Sequence, residues 1–208
     1  MKILIIGSTG RTGQELVKRS LEQGHEVTAF ARDPAKIKMV HKNLTVIKGD
    51  ALDKNSLVKA LQGNEAVISA IGRGDSLRSE NLISNVVEIL IPAMKETGIK
   101  RLIMESGFGA GETFSQANFL QRLFFKLLLK DIYGDKAKAE KQIRNSDLDW
   151  TLVYPVRLTN KGYTGKYKVG EKLPMKGMPT VSRADVAEFM VDELANNAFV
   201  KGSPIITS

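Results

Sequence analysis

The residues with the clearest chemical meaning form a glycine-rich turn near the start of the chain, Gly7-Ser-Thr-Gly10-Arg-Thr-Gly13. Gly7 permits a tight turn in which the backbone φ angle is positive. Gly10 removes a side chain where the backbone must approach a phosphate, and Gly13 lets the following helix pack closely against the strand. Because a helix N-terminus offers unpaired N–H groups and a partial positive charge, this spacing predicts a phosphate-binding element.

Two predicted elements must position this turn. A short run rich in β-branched residues, Lys2–Ile6, precedes it and predicts a buried parallel strand. Residues 12–23 follow it with apolar side chains at helical spacing. The order of strand, glycine turn and helix favours phosphate binding over an ordinary turn between a strand and a helix.

The end of the second predicted strand, residues 26–32, indicates which dinucleotide this turn binds. An acidic residue at that position holds the 2′-hydroxyl of NAD, whereas an arginine accommodates the 2′-phosphate of NADP. Arg32 and Asp33 are neighbours here, Arg32 comes first, and Arg11 is close enough in the glycine turn to reach the same phosphate. Asp33 is followed by a proline, which also fits a turn or a helix start. The two guanidinium groups predict NADP as the preferred cofactor.

Strands and helices alternate along the rest of the chain, and this order predicts one doubly wound, mostly parallel α/β domain covering residues 1–208. Asp50, after the third strand, is predicted either to accept a hydrogen bond from the adenine amino group or to cap the next helix. Two segments, 107–135 and 156–180, are predicted to lie on the substrate side. Further predicted strands are 44–48, 65–71, 101–106, 149–154, 166–169 and 205–207. Further predicted helices are 35–43, 53–61, 76–97, 114–129, 135–145 and one that starts with a capping box at 182–185.

The bulk composition excludes several kinds of protein. The 208 residues include no cysteine, so disulfides and thiol chemistry are excluded and a reducing compartment such as the cytoplasm is predicted. With two histidines and no cysteine, no metal site is predicted. We expect no signal peptide, and no apolar run reaches the ~20 residues of a membrane span. The net charge of +8 permits an anionic partner, but the lysines are spread without interleaved aromatic residues, so no nucleic-acid partner is predicted.

Residues 114–129 are unusually rich in phenylalanine and leucine. A helix that is apolar nearly all round is usually buried, so we expect first a core or lid helix. A dimer face is the second interpretation and a membrane surface the third. The chain is therefore predicted to be a monomer or a homodimer.

Taken together, these segments resemble an atypical short-chain dehydrogenase/reductase. Within that group the chain is similar to the flavin reductase and biliverdin-IXβ reductase proteins, and to bacterial NAD(P)H-binding proteins related to nitrogen-metabolite-repressor-like proteins. The resemblance covers nearly the whole chain and implies the Rossmann fold. It depends on residues 7–13, 32–33, 49–50, Ser106, 147–155, Arg157–Thr159, 164–165 and 182–185.

The resemblance implies roles for particular residues. Ser106 is expected beside the nicotinamide, and the Phe108 ring is expected to stack on a flat acceptor. Arg157 and Leu158 are expected in the acceptor site. The resemblance, with the rule that ligands bind at strand carboxyl ends, assigns to the cofactor Gly7, Thr9, Gly10, Arg11, Thr12, Gly13, Arg32, Asp50, Ala51, Ala70, Ile71, Gly72 and Pro155.

Classical members of the wider short-chain dehydrogenase/reductase group use a catalytic Tyr-x-x-x-Lys pair, and this chain departs from that pattern. Lys136 stands at the position of the lysine, but Tyr133 is one residue late and gives Tyr-x-x-Lys. One residue on a helix rotates a side chain by about 100°. Tyr133 is therefore either a displaced catalytic acid or a packing residue under the Phe-rich segment.

Three functions are compatible with these observations. The first is an NADPH-dependent reductase that transfers a hydride to flavin or a similar planar acceptor, such as a quinone-like compound or a tetrapyrrole. The second is a non-catalytic redox sensor that binds NADP(H) and regulates a partner. The third, a sugar-nucleotide epimerase or dehydratase, usually requires the intact tyrosine–lysine pair and a larger substrate domain.

Overall fold

A computed structural model describes residues 1–74, 76, 78–174 and 177–208. The strands are β1 Lys2–Ile6, β2 Glu26–Ala31, β3 Leu44–Lys48, β4 Ala66–Ser69, β5 Arg101–Glu105, β6 Asp149–Pro155, β7 Arg157–Thr159, β8 Lys168–Gly170, β9 Thr180–Ser182 and β10 Ile205–Thr207. The α-helices are α1 Arg11–Glu22, α2 Lys54–Leu61, α3 Leu82–Thr97, α4 Phe119–Leu128, α5 Lys130–Arg144 and α6 Arg183–Asn196.

Eight strands form one sheet in the order β3-β2-β1-β4-β5-β6-β10-β8. Every neighbouring pair in it is parallel except β10 with β8. The chain moves outward in one direction from β1 to β3 and in the other direction from β4 to β6. Right-handed crossovers then place α1 on one face of the sheet and α2, α3 and α5 on the other. The predicted doubly wound, mostly parallel α/β fold is confirmed.

The core lies on both faces of the central strands. β1, β4 and β5 consist almost wholly of buried residues, as continuous apolar runs in a covered parallel sheet should be. On one face α1 packs against α6, and on the other α3 packs against α2 and α5. Asp185 accepts hydrogen bonds from the backbone N–H groups of Thr164 and Gly165, at 2.8 and 3.1 Å, and so fastens the long segment after β7 to α6.

Several predicted boundaries differ from the structure. The helix expected over 35–43 is only a 3₁₀ turn, Pro34–Lys36, because the stretch buries none of its residues. The helix expected from residue 76 begins at Leu82, and α5 begins five residues earlier than predicted. β7 and β9 pair in parallel, which no local pattern indicated. Three residues inside predicted segments, Leu77, Met175 and Lys176, lie outside the described residues.

The Phe-rich segment is not a buried core helix. It divides into a 3₁₀ helix, Gly111–Gln116, and α4. Phe125 packs against the core from α4, but the apolar side chains Phe119, Leu123, Phe124, Leu127 and Leu128 are exposed. The prediction of a core helix is therefore wrong for this face, which stands open to solvent. Within the described residues, no helix is both long enough and apolar enough to cross a bilayer.

Gly134 provides a test of helix energetics in α5. It lies in the helix interior on an exposed surface, and a Cβ built there would meet no atom within 4 Å. We expect Gly134→Ala to raise the free energy of unfolding by about 0.5–1 kcal/mol, because alanine restricts the unfolded chain without strain in the helix. Urea denaturation measures this change. Gly98→Ala is the control and should destabilise, since Gly98 ends α3 with a φ of 76°.

Candidate functional site

The glycine turn is packed so tightly that side chains are excluded at two positions. Gly7 has a φ of 81°, and a Cβ on it would lie 2.6 Å from the Ala70 carbonyl oxygen of β4's carboxyl end. A Cβ on Gly13 would collide with the Gly7 carbonyl oxygen. The helix α1 therefore starts directly against the end of β1. Gly10 is its N-cap, and no described side chain caps this helix start, which leaves its N–H groups available to an anion.

A cavity of about 540 Å³ opens at this edge of the sheet, within the usual range of ligand sites. It extends from the glycine turn to the end of β5. Fourteen of the predicted site residues line it: Gly7, Thr9, Gly10, Arg11, Thr12, Arg32, Asp50, Ala51, Ala70, Ile71, Gly72, Ser106, Lys136 and Leu158. Five predicted residues are not among the described lining residues: Gly13, Phe108, Tyr133, Pro155 and Arg157.

The cavity fits a nicotinamide dinucleotide at its glycine-turn end. The uncapped N-terminus of α1 suits a pyrophosphate, and a Cβ on Gly72 would meet nothing within 4 Å, so backbone is exposed there to a ligand. Phe30, Ala31 and Gly49 line the cavity on the side of β2 and β3. These groups are the ones that would hold the cofactor, and Gly13 contributes by letting α1 pack closely.

Arg32 and Asp33 differ in what their side chains do. Asp33 Oδ1 accepts a hydrogen bond of 3.2 Å from the Ala35 N–H and so caps the 3₁₀ turn. Arg32 is exposed and lines the cavity together with Lys36 and Arg11. The acidic side chain at this strand end therefore serves the local backbone, and the basic ones face the ligand space.

Asp50 also has a local partner. Its Oδ1 accepts a hydrogen bond of 3.0 Å from the Leu52 N–H, while Asp53 caps α2 by accepting from the Asn55 N–H. The capping role that the sequence left open for Asp50 thus belongs to Asp53. Asp50 closes the preceding turn and lines the cavity.

At the other end of the cavity, β5 delivers Ser106 to a buried polar cluster. Ser106 Oγ donates a hydrogen bond of 2.5 Å to Glu140 Oε1, and Lys136 Nζ donates one of 2.5 Å to the Ser106 carbonyl oxygen. Lys136 and Glu140 lie one turn apart on α5. A Cβ on Gly111 would collide with Glu140 Oε2, so the loop after β5 can wrap round this carboxyl only with glycine there.

Burial shifts the pKa values of the titratable groups in this cluster. Desolvation lowers the pKa of Lys136, and the nearby carboxylates of Glu105, Glu140 and Asp135 oppose that change. Desolvation raises the pKa of Glu140, against hydrogen bonds from Ser106 and Tyr154. Perturbed titratable groups in a cavity are typical of functional sites.

Tyr133 does not reach the cavity. Its hydroxyl donates a hydrogen bond of 3.0 Å to the Phe108 carbonyl oxygen, and its ring packs on Phe125 with centroids 5.1 Å apart. Burial raises the pKa of Tyr133 to about 12. These contacts are those of the packing tyrosine that the sequence left open, and they do not support a catalytic acid.

Phe108 and Arg157 also lie away from the predicted contacts. The Phe108 ring is buried in the core, with 5% of its surface exposed, and offers no free face on which an acceptor can stack. Arg157 is exposed on β7, whereas its neighbour Leu158 lines the cavity. Pro155 positions the loop after β5, because its carbonyl oxygen accepts a hydrogen bond of 2.9 Å from the Phe108 N–H.

Sequence reasoning missed several lining residues, among them Glu105, Asp135 and Arg183. Glu105 is a charged residue that directly follows the apolar Leu102–Met104 at the carboxyl end of β5, and that position was a usable signal. Asp135 is bound by the N–H groups of Ile83 and Ser84, both at 2.9 Å, and so caps α3 from a distant part of the chain. Arg183 begins α6 and reaches the cavity from the other face of the sheet. No local pattern indicates the last two contacts.

The comparisons with known proteins agree with this geometry. The model of the NAD(P)H-binding family matches residues 7–197. The uncharacterized protein YwnB of Bacillus subtilis is 27% identical over 204 residues, which are 93% of this chain and 92% of that protein. Phenylcoumaran benzylic ether reductase Betv6 of Betula pendula is 32% identical over 161 residues, 73% of this chain, and the chain spans about half (47%) of that reductase's length.

A solved structure, ChuY, described as an anaerobilin reductase from Escherichia coli O157:H7, superposes with a TM-score of 0.79. The superposition covers 99% of this chain and 96% of the ChuY chain. At 22% sequence identity, this similarity shows the fold. The predicted resemblance to atypical NAD(P)H-binding short-chain dehydrogenase/reductases is confirmed. The glycine turn, the cavity beside it and the match over nearly the whole length show that this chain belongs to the NAD(P)H-binding family of Rossmann-fold oxidoreductases.

Proposed function

We propose that this protein is an NADPH-dependent reductase of a planar conjugated acceptor, such as a flavin, a quinone-like compound or a tetrapyrrole. The observation that carries the proposal is the continuity of one cavity. A phosphate-binding turn stands at one end, and a desolvated amine with a short serine–carboxyl hydrogen bond stands at the other.

The acceptor end of the cavity combines apolar side chains with the polar cluster around Ser106. Leu82 and Ile83 line it from α3, Ile132 from α5 and Leu158 from β7. Apolar side chains beside a small number of placed polar groups are typical of sites for small organic ligands. The names of two similar proteins, a benzylic ether reductase and an anaerobilin reductase, add support for reduction of such compounds.

When bound, the reduced nicotinamide supplies a hydride. The residues of the chain bind and orient the reactants and exclude water. The start of α1 would hold the pyrophosphate, and Arg32 with Arg11 and Lys36 would hold the 2′-phosphate. Lys136 fixes the Ser106 backbone through its carbonyl oxygen, so that Ser106 stays at the reacting end of the cavity. Orientation of two reactants in a water-poor site is itself a large part of the rate.

Steady-state oxidation of NADPH tests the proposal, with riboflavin, FMN, a quinone and a linear tetrapyrrole as acceptors and NADH in parallel. We expect turnover with at least one acceptor and a preference for NADPH. Tight binding of NADPH without turnover on any of the four would contradict a reductase.

A second candidate is a non-catalytic NADP(H) sensor, and the exposed apolar face of α4 favours it. That helix joins α5, which carries Lys136 and Glu140, so a partner bound to α4 would lie close to the cofactor site. The same assay separates the two functions. A sensor binds NADPH and oxidises it with none of the acceptors.

A further inference from the structure

Glu105 is a buried carboxyl at the reacting end of the cavity. It is the last residue of β5 and lies directly before Ser106. Its side chain lines the cavity, although only 9% of the residue is exposed. A carboxyl in this position touches whatever occupies the acceptor end.

Three carboxyls surround the Lys136 ammonium, and they differ in how well they are hydrogen-bonded. Asp135 accepts two backbone N–H groups of α3, each at 2.9 Å. Glu140 accepts the Ser106 hydroxyl at 2.5 Å and is also hydrogen-bonded by Tyr154. Glu105 Oε1 accepts a hydrogen bond from the Thr12 hydroxyl at the longer distance of 3.3 Å. Glu105 is therefore the carboxyl whose negative charge is least stabilised by hydrogen bonds.

Two cations and one hydroxyl, each from a different helix, face Glu105. Burial raises the pKa of Glu105, and this change is opposed by Lys136 of α5, by the hydroxyl of Thr12 on α1 and by Arg183 of α6. Lys136 is shared with the two other carboxyls. Arg183 also faces Glu105, and Arg144 also faces Glu140. Desolvation is still the largest influence on Glu105, and its hydrogen bonding is the poorest of the three carboxyls, which favours retention of a proton there.

The tyrosine that donates the proton in the classical short-chain dehydrogenase/reductases has no counterpart facing the described part of this cavity. The Tyr133 hydroxyl is turned to the Phe108 carbonyl oxygen, away from the cavity. Within the described residues the cavity therefore has no tyrosine among its lining groups, while the buried carboxyl of Glu105 lines it.

We propose that Glu105 is the general acid of this reductase and delivers the proton that completes reduction of the acceptor. This inference rests on the proposed function. The hydride and its electron pair pass from the dihydronicotinamide to the acceptor, which becomes an anion while the cofactor is oxidised. The O–H bond of the Glu105 carboxylic acid then breaks, its proton forms a new N–H, O–H or C–H bond on the acceptor, and a water-derived proton restores the acid after product release.

Infrared spectroscopy of the protein without cofactor tests the protonation directly. At neutral pH the wild type should show the carbonyl stretching band of a protonated carboxylic acid. That band should disappear in Glu105→Gln, which keeps the side-chain shape and the hydrogen bond to Thr12, and should persist in Glu140→Gln. A band that survives in Glu105→Gln and disappears in Glu140→Gln would assign the proton to Glu140 and overturn the proposal.

Kinetics test the catalytic role. Glu105→Gln should lower kcat about 100-fold or more, the usual contribution of a general acid, while the Kd of NADPH stays within about threefold. The wild-type kcat should fall as the pH rises through the raised pKa of Glu105, and Glu105→Asp should recover part of the rate. If the wild type reduces an acceptor and Glu105→Gln is equally active, the role of Glu105 as general acid is refuted and the proposed reductase function stands. A wild type that binds NADPH but reduces no acceptor overturns the proposed function and this role with it.

Discussion

Replacing Lys136 with methionine is expected to lower the free energy of unfolding at pH 7 by about 2 kcal/mol. The ammonium faces the buried carboxylate of Glu140, and its removal takes away one of the two cations, Lys136 and Arg144, that stabilise that charge. Loss of one partner from a fully buried ion pair costs about 3–5 kcal/mol. The expected figure is smaller because Lys136 is only partly buried.

This loss of stability should depend on pH. Burial holds the pKa of Glu105 and Glu140 above 4.5 in the folded protein, and Lys136 opposes both changes. Without Lys136 both values rise further. A carboxyl with a raised folded-state pKa contributes stability below its unfolded pKa, and that contribution is lost as the pH rises through the folded pKa. The deficit of Lys136→Met should therefore be largest at neutral pH and shrink toward pH 4.5.

Urea denaturation of the two proteins at a series of pH values measures this dependence. Lys138→Met is the matched control, because Lys138 is an exposed lysine of the same helix with one hydrogen bond of 3.0 Å to Asn81 Oδ1. The control should change the stability little at any pH. A deficit in Lys136→Met that is equal at every pH would show that the ammonium does not interact with these carboxyls.

Arg32→Ala is expected to reduce the preference for NADPH over NADH by about 10- to 100-fold. A charge-assisted hydrogen bond contributes about 1.5–3 kcal/mol, and 1.4 kcal/mol corresponds to a factor of ten. The affinity for NADH should change little, because NADH has no 2′-phosphate. Asp33 cannot take over, since its carboxylate already caps the neighbouring backbone.

The ratio of kcat/KM for the two cofactors measures this preference, and titration of each dinucleotide gives the corresponding ratio of Kd values. Lys38→Ala removes a positive charge six residues further along the chain that is not among the described lining residues, and it controls for the general field of the protein. Unchanged preference in Arg32→Ala would refute our assignment of the 2′-phosphate to Arg32. An equal loss in both variants would indicate long-range electrostatics in place of a contact.

The prediction of the fold from sequence was accurate where the signals are local. The apolar run of β1 predicted a buried parallel strand, because a strand covered on both faces reads as a nearly continuous apolar run. The glycine spacing specified a close approach of α1 to β1, since Gly7 and Gly13 sit where no Cβ fits. The alternation of strands and helices indicated a doubly wound, mostly parallel sheet, whereas the order of its strands came from the structure.

The Phe-rich segment shows where such reasoning fails. A helix that is apolar on most of its circumference indicates burial, yet α4 exposes Phe119 and Leu127. Whether a neighbour covers a helix face is decided by how other elements pack, and no pattern within the helix contains that information. The same holds for β7 and β9, whose pairing joins segments about 20 residues apart.

Some of the site's chemistry was likewise predictable from local sequence, and the rest depended on the tertiary structure. The sequence by itself determined the phosphate-binding turn, the basic strand end at Arg32 and the position of Ser106, because these depend on short spacing next to a strand. Only the tertiary structure decided that Tyr133 faces Phe108, that Asp135 caps α3, and that Glu105 shares Lys136 with two other carboxyls. Those properties arise from groups distant in the chain that fold against one another, and burial then sets their charge.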